Sequence, residues 1–309
     1  MLQLPRILCP VDLSEYSRHA LNHALAIARW YESAVTVLHV VPRVPVGAQV
    51  SAVEGFPPVA IAPASNDDVL SSVRQFADVA AAADISMEFL TRDGDVVPEI
   101  LAVARTMPAD LLVLGTHGRS GFERLALGSV ADKVLRRAAC PVLSVPPHAP
   151  DVSPAAPVVY RRILCPVDFS EPAMLALRFA SSLAQEADAR LTVVHVIEYG
   201  LSGWPDLYDT FMTNTRVSLQ EFRKETERIS RERLELAVPD EVRRYCTVET
   251  VLAEGKPSRE ILRAAGEGQS DLIVMGVSGR GAVDRMIFGS ATQHVVRMAG
   301  CPVLTLRVT

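Results

Sequence analysis

Three glycines and a serine with a regular spacing form the part of this chain that is best suited to chemistry. In the first half of the chain they are Gly115, Gly118, Gly128 and Ser129. Glycine lets backbone amides approach an anion without a Cβ in the way, and a helix that begins at Gly128 would add unpaired N–H groups and a partial positive charge. The Ser129 hydroxyl and the Arg119 guanidinium can supply further donors. This layout predicts a phosphate-binding loop.

The same pattern returns in the second half with identical internal spacing, at the following residues: Gly276, Gly279, Arg280, Gly289 and Ser290. A second interpretation explains the glycines of both halves equally well, namely a tight turn after a strand and the start of a helix. Because a duplication preserves structural turns as well as binding loops, the repetition does not decide between the two. Both interpretations stay open on the residues alone.

Two aspartates at matching positions are the next candidates. Asp12 and Asp168 each follow a buried apolar run, and each stands two residues before a serine, which is Ser14 or Ser170. Such a carboxylate can cap the helix that follows it. It can equally accept hydrogen bonds from the ribose or the adenine of a nucleotide, and the residues alone leave both roles open.

Alternating strands and helices must position these residues. In the first half the sequence predicts strands at 6–11, 35–41, 86–91, 110–115 and 141–145, and helices from residue 15 and at 67–82, 98–107 and 130–138. The strands are apolar throughout, which indicates an α/β fold with a mostly parallel sheet and helices on both faces. Ligands bind such a sheet at the carboxyl ends of its strands, near the point where the strand order reverses. Those ends carry Asp12, Val40 and Gly115.

A long internal repeat divides the chain. The segment Arg6–Ser14 recurs as Arg162–Ser170 with a single difference, and later landmarks recur 161 residues apart. Each copy has about 145 residues, which is enough for a core of its own. We therefore predict a first domain at 1–146, a proline-rich linker at 147–159 and a second domain at 160–309. In the second copy a longer, charged helix is predicted at about 206–237.

The composition narrows the class of protein. Of 309 residues, 49% are hydrophobic and 22% are charged, which excludes wholesale disorder. The net charge of −5 argues against nucleic acid as the main partner. No apolar run reaches the roughly 20 residues of a membrane helix, and the N-terminus lacks a secretory pattern, so we expect a cytoplasmic protein without a membrane partner. Five cysteines, an odd number, fit reduced thiols better than disulfides.

Other catalytic and metal-binding patterns are weak in the sequence. It contains neither the Gly-x-x-x-x-Gly-Lys-Ser/Thr loop of P-loop NTPases nor a Gly-x-Gly-x-x-Gly after the first strand. We interpret His19 and His23, four residues apart on a helix, as solvated side chains, because no third metal ligand has suitable spacing. His39 and His195 lie within apolar strands and are interpreted as core histidines with satisfied hydrogen bonds. No catalytic residue and no metal site is assigned.

Taken together, these motifs resemble the universal stress protein family. The Gly-2x-Gly-9x-Gly-Ser spacing of both halves is similar to the ATP-binding motif of that family, and further similarity lies at Pro10–Ser14, Leu38–Val40, Asp110–Gly115 and Cys140–Leu143. The resemblance covers nearly the whole chain except the linker and the two middle segments. It implies a fold like that of the adenine nucleotide alpha hydrolases, with two tandem five-stranded parallel sheets of strand order 3-2-1-4-5.

The resemblance also implies one ATP site in each half, between the ends of the first and fourth strands. In the first half the implied nucleotide-binding residues are Pro10, Val11, Asp12, Ser14, Val40, Gly115, Thr116, His117, Gly118, Arg119, Gly128, Ser129 and Val130. In the second half they are Pro166, Val167, Asp168, Ser170, Val196, Gly276, Val277, Gly279, Arg280, Gly289, Ser290 and Ala291. Because Val277 and Ser278 replace Thr116 and His117, we expect the two sites to differ in affinity.

The function that the resemblance implies is nucleotide-dependent regulation in a stress response, with ATP bound alone or with Mg²⁺ and hydrolysed slowly at most. Two other classes of function stay open: an adenine-nucleotide hydrolase or transferase, and an interaction scaffold that binds no nucleotide. Family members pair their last strands antiparallel across a dimer axis. Strands 141–145 and 302–306 are therefore expected to pair within this chain as a pseudo-dimer, and a further homodimer stays open.

Overall fold

Strands and helices follow one another in the same order in both halves of the chain. The computed structural model describes residues 2–42, 66–78, 85–118, 127–153, 155–156, 160–199, 219–277 and 289–308. The elements of the first half are β1 (Arg6–Pro10), α1 (Glu15–Tyr31), β2 (Ala34–Val41), α2 (Asn66–Asp78), β3 (Met87–Asp93), α3 (Val96–Thr106), β4 (Leu111–Gly115), α4 (Ser129–Arg137) and β5 (Val142–Val145). Those of the second half are β6 (Arg162–Pro166), α5 (Glu171–Ala187), β7 (Arg190–Ile197), α6 (Leu219–Ala237), α7 (Asp240–Tyr245), β8 (Val248–Glu254), α8 (Pro257–Glu267), β9 (Leu272–Gly276), α9 (Ser290–Met298) and β10 (Val303–Leu306).

The predicted elements of the first half agree with the structure to within two residues at most of their ends. The prediction of a helix at 67–82 continues past the end of α2 into residues 79–84, which lie outside the described part of the chain. The same holds for the first part of the charged helix predicted at 206–237, because α6 is described from Leu219 onward. The short helix α7, which begins after Pro239, was not predicted.

All ten strands form one continuous sheet, so the prediction of two five-stranded sheets is wrong in this respect, while the predicted antiparallel pairing of the last strands is confirmed. The strand order is β3-β2-β1-β4-β5-β10-β9-β6-β7-β8, so each half keeps the predicted order 3-2-1-4-5. Every neighbouring pair is parallel except β5 and β10, which run antiparallel where the halves meet. This pairing removes the exposed edge that each five-stranded sheet would otherwise present to water.

The joint between the halves is apolar and deeply buried. In the antiparallel register Leu143 lies opposite Leu304, and both side chains are less than 5% exposed. The hydroxyl of Thr305 donates to the carbonyl of Val142 at 3.2 Å, so this buried polar group is satisfied across the joint. On one face of the sheet, Glu186 of α5 accepts a hydrogen bond at 2.7 Å from the Tyr31 hydroxyl of α1.

Each face of the sheet carries one hydrophobic core that extends across both halves. Helices α1, α2, α5, α6 and α7 cover one face, and α3, α4, α8 and α9 cover the other. On the second face, α4 and α9 meet at equivalent positions, where the amide nitrogen of Gln293 donates to Asp132 Oδ1 at 3.2 Å. The same carboxylate accepts from Arg136 on the next turn of α4. The two helices are therefore held together close to their N-termini.

Two further expectations concern the membrane and the cysteines. Among the helices of the described residues, none is both long and apolar enough to cross a bilayer. All five cysteines are free thiols, as expected from their odd number, and four of them are buried. Burial raises the pKa of Cys9 to about 12, which keeps this thiol protonated and unreactive.

The joint provides a direct test of the continuous sheet. We predict that Leu143→Ala lowers the free energy of unfolding by about 2–5 kcal/mol, because it leaves a cavity where β5 and β10 pair. The matched control is Leu236→Ala in α6, where the side chain is 84% exposed and the expected change is within about 0.5 kcal/mol. Urea unfolding followed by circular dichroism measures both. Equally small losses in the two variants would contradict a buried joint.

Candidate functional site

A cleft of about 330 Å³ lies at the carboxyl ends of the strands in the first half. It opens between the ends of β1, β2 and β4 and the beginning of α4, which is the place where the strand order reverses. Its walls contain these predicted site residues: Pro10, Val11, Asp12, Val40, Gly115, Thr116, His117, Gly118, Gly128, Ser129 and Val130. The structure thus brings together eleven residues that are far apart in the sequence.

The turn between β1 and α1 fixes the Asp12 carboxylate. Its Oδ1 atom accepts from the backbone N–H of Ser14 at 3.1 Å and from the Ser14 hydroxyl at 2.5 Å. Ser14 in turn caps α1, because its side chain accepts from the N–H of Ser17. Leu13 between them has a positive φ of 63°, which turns the chain sharply after the strand. Capping therefore belongs to Ser14, and Asp12 is held at the cleft by that cap.

Close approach explains the glycines of the loop. A Cβ atom on Gly118 would lie 2.7 Å from Asp12 Oδ2, and one on Gly128 would lie 3.0 Å from the carbonyl oxygen of Thr116. The Gly128 N–H donates to that same carbonyl at 2.8 Å, which joins the end of β4 to the start of α4. The turn interpretation therefore accounts for Gly128, while Gly118 is needed so that the loop can pass the Asp12 carboxylate.

Helix α4 points its N-terminus into the cleft. Its N-cap is Gly128, which has no side chain and supplies no capping acceptor to the first turn. The N–H groups of a first helical turn have no partner within the helix, and they carry the positive end of the helix dipole. With Ser129 as the first helical residue and its hydroxyl beside them, this end of the cleft is suited to an anion.

Two residues between the glycines form a polar pair. The Thr116 hydroxyl and the Nδ1 atom of His117 are 3.0 Å apart, and the Thr116 side chain is buried. The imidazole lies near the ring of Tyr16, with 6.0 Å between the ring centroids. Burial and the neighbouring His148 of the linker both lower the pKa of His117, which favours the neutral imidazole.

The second half repeats this arrangement at the ends of β6, β7 and β9. Asp168 Oδ1 accepts from the Ser170 N–H at 3.0 Å and from its hydroxyl at 2.5 Å, and Ser170 caps α5. The N–H of Gly289, the N-cap of α9, donates to the Val277 carbonyl at 2.7 Å. The other described members of the predicted site occupy the matching strand ends and helix start: Pro166, Val167, Val196, Gly276, Ser290 and Ala291. Three predicted residues lie outside the described part of the chain: Arg119, Gly279 and Arg280.

The apolar wall of the first cleft was not predicted. Val96 and Ile100 of α3 line it, together with Leu38 and Pro42 at the end of β2 and Ala131 in α4. Helices α3 and α4 cover the same face of the sheet, so the start of α3 borders the same opening. The order of the elements could have indicated this wall, because the helix that follows β3 packs against β2 beside the cleft.

His195 is a buried core histidine, as predicted, whereas His39 is half-buried and lines the first cleft, so the prediction is wrong for His39. His39 and His195 each place Nδ1 within 2.8 Å of a backbone carbonyl, that of Val11 and that of Val167 respectively. Each imidazole can donate to this carbonyl and thereby tie the end of one strand to its neighbour.

The prediction of solvated side chains is wrong for His23. Its side chain is buried, and its ring contacts that of His19 at 5.1 Å between centroids. His19 Nδ1 also lies 3.1 Å from the Asp151 carboxylate of the linker, so the linker crosses α1 here and covers it. Among the described residues no group of three or more His, Cys, Asp or Glu side chains is arranged to hold a metal ion.

A profile of the universal stress protein family matches residues 4–146 and 159–307. The chain therefore belongs to the universal stress protein family and contains two copies of its domain in tandem. A universal stress protein of Thermus aquaticus is 36% identical over 151 residues, which is 48% of this chain and 100% of the relative. One from Methanocaldococcus jannaschii is 31% identical over 156 residues, 48% of this chain and 83% of the relative.

The tandem arrangement also occurs in a solved structure. A universal stress protein from Archaeoglobus fulgidus superposes with a TM-score of 0.62 over 99% of both chains, at 24% identity. At that identity the likeness shows a shared fold.

Burial of His23 gives a test of the covered helix. Desolvation, with the neighbouring His19 next in effect, lowers the pKa of His23 to about 4, so the unfolded chain takes up this proton first as the pH falls. We predict that the contribution of this group is complete above pH 6.5 and that about 3 kcal/mol of stability is lost as the pH falls toward 4. Urea unfolding at pH 7 and pH 4.5 measures it.

The variant His23→Leu removes the titrating group and should lose less stability than the unchanged protein over the same pH interval. His148→Ala, at an exposed position of the linker, is the control and should keep the full loss. Equal losses in the protein and in His23→Leu would show that His23 is not buried in solution.

Proposed function

We propose that the protein binds an adenine nucleotide, specifically ATP, in the cleft of the first half and acts through this binding. The observation that carries the proposal is the uncapped N-terminus of α4 facing the fixed Asp12 carboxylate across a cleft of about 330 Å³. One end of the cleft is apolar and the other presents backbone donors, which suits a base at one end and a phosphate chain at the other.

The backbone of β2 offers the contact for adenine. The carbonyl of Leu38 accepts from the Val11 N–H at 2.8 Å, so the even-numbered residues of β2 direct their peptide groups toward β1. The N–H of Gly94 donates to Val41, so the odd-numbered residues face β3. Val40 therefore points its N–H and C=O beyond the end of β1, into the cleft. This donor and acceptor pair matches the edge of an adenine, with Val11 and Ile100 as apolar walls.

The phosphate chain is assigned to the glycine loop. Gly118, Gly128, Ser129 and Val130 would supply backbone and hydroxyl donors, with Arg119 as an additional cation. Occupancy would change the surface at Gly118 and at the first turn of α4, and a partner protein would recognise the changed surface. Hydrolysis is proposed to be slow at most, with ATP bound alone or as its magnesium complex. Membership of the family supports a role for this binding in a stress response.

A second nucleotide site is proposed in the second half. Val196 lies on β7 where Val40 lies on β2, and the N–H of Val167 donates to the Val194 carbonyl, so the Val196 peptide groups also point past the end of a strand. The N-terminus of α9 is likewise capped by a glycine. Weaker binding is expected here, because Val277 replaces the polar Thr116 at the loop.

The proposed function is tested by titrating the purified chain with ATP in a calorimeter, with and without Mg²⁺, and by following hydrolysis. We expect saturable binding and turnover well below the roughly 1 to 10³ per second that is typical of enzymes. No response to millimolar adenine nucleotides would contradict the proposal and favour an interaction scaffold. Turnover in the enzymatic range would favour a hydrolase.

Substitution of Gly118 tests the position of the phosphates. We predict that Gly118→Ala weakens ATP binding in the first half about tenfold or more, because the new Cβ would lie 2.7 Å from Asp12 Oδ2 and must displace the carboxylate or the loop. Gly266→Ala in α8 is the matched control, because no atom lies within 4 Å of the position of the new Cβ. The affinity of this variant for ATP should be unchanged. Unchanged affinity in Gly118→Ala would remove the loop from the site.

A further inference from the structure

His117 lines the cleft beside the proposed phosphate position. One of its ring nitrogens has a hydrogen-bond partner and, in the part of the chain that the structure describes, the other has none. Its Nδ1 atom is paired with the Thr116 hydroxyl at 3.0 Å, while its Nε2 atom is buried and has no hydrogen-bond partner among the described residues. Buried polar atoms in folded proteins are nearly always satisfied, so an orphaned nitrogen beside a ligand cleft indicates a partner that arrives with the ligand. A phosphate oxygen in the loop would be such a partner.

The Thr116 hydroxyl suits both charge states of the imidazole. A hydroxyl can donate to Nδ1 when the ring is neutral, and it can rotate and accept from Nδ1–H when the ring is protonated. Thr116 is itself held by its burial, with its backbone N–H donating to the Val145 carbonyl at 3.0 Å. The ring can therefore gain a proton without losing the contact that orients it.

The titratable groups that face His117 come from three described segments. Tyr16 lies against the ring from α1, His148 approaches from the linker, and the Asp12 carboxylate lies at the neighbouring Gly118. The Asp12 carboxylate is already bonded to the backbone and hydroxyl of Ser14. Without an added anion these surroundings favour a neutral imidazole, because burial and the second histidine both oppose a positive charge.

We propose that His117 takes up one proton from solvent when a nucleotide binds in the first half, and donates from Nε2 to an oxygen of the phosphate chain. The proton returns to solvent when the nucleotide leaves. This inference rests on the proposed ATP site and names its preferred ligand class: nucleoside polyphosphates, whose greater negative charge favours the imidazolium more than a monophosphate or a nucleoside does. Binding in this half is thereby coupled to pH.

The coupling belongs to the first half alone. At the matching positions the second half carries Val277 and Ser278, neither of which can take up a proton near neutral pH. The two halves of one chain would therefore share a backbone cradle but differ in their response to acidification. As the pH falls, occupancy would shift toward the first half.

The test is calorimetric titration with ATP at several pH values between 6.5 and 8, in buffers of different ionisation enthalpy, so that protons taken up are counted directly. For one linked proton the affinity can change at most about tenfold per pH unit. We expect the affinity of the unchanged protein to rise at least threefold more than that of His117→Gln as the pH falls from 8 to 6.5. Because ATP itself takes up protons in this pH range, the titration of His117→Gln also serves as the baseline for that contribution.

Two further variants sharpen the result. His294→Gln, on α9 and outside the first cleft, is the matched control and should keep the full proton uptake. Thr116→Val introduces the residue of the second half and should reduce the uptake while the fold, checked by circular dichroism, is retained. Adenosine should bind without measurable uptake, which separates a phosphate contact from a contact to the base.

The outcomes are distinguishable from those of the proposed function. ATP binding with equal proton uptake in the unchanged protein and in His117→Gln would overturn the role of His117 and leave the nucleotide site standing. Absence of ATP binding in both would overturn the nucleotide site and this inference together. Uptake that is lost in His117→Gln and retained in His294→Gln would establish it.

Discussion

The antiparallel pairing of β5 with β10 is the interaction on which the rest of the molecule depends. It joins two five-stranded sheets at buried, apolar strands, with Leu143 opposite Leu304. Because both faces of the sheet are continuous across this joint, each hydrophobic core contains residues of both halves. The free edges of the sheet are then β3 and β8, far from the joint. The strand ends that form the candidate site are thereby fixed on a rigid frame.

The candidate site is built on strand ends and a helix cap that hold its carboxylate in place. The strand ends and the Ser14 cap hold Asp12 in place through short hydrogen bonds. A fixed carboxylate and the donors at the start of α4 are what the proposed nucleotide site requires, and occupancy of that site is the proposed signal.

The sequence predicted the strands well because their apolar runs are buried on both sides, and it placed Asp12 and Gly115 at one edge because parallel strands end at the same edge. The residues alone did not predict the single continuous sheet, since the choice of edge partner depends on surfaces that exist only after each half has folded; the resemblance to the family predicted the antiparallel pairing of the last strands that joins the halves. The prediction for His23 is wrong for a related reason. The linker lies against this part of α1, where its Asp151 contacts His19, and such a contact across more than a hundred residues of chain leaves no local pattern in the sequence.

Carrying both copies on one polypeptide frees the chain from a constraint of two-fold symmetry. In a dimer of two identical subunits, a residue close to the two-fold axis lies opposite the same residue of the other subunit. An aspartate there would face an aspartate, and the two charges would repel. At this place the fused chain sets Asp132 against Gln293, a carboxylate against an amide, and the pair forms a hydrogen bond. Joining the copies in one chain thus lets each side of the axis evolve its own chemistry, and the two proposed sites can diverge independently.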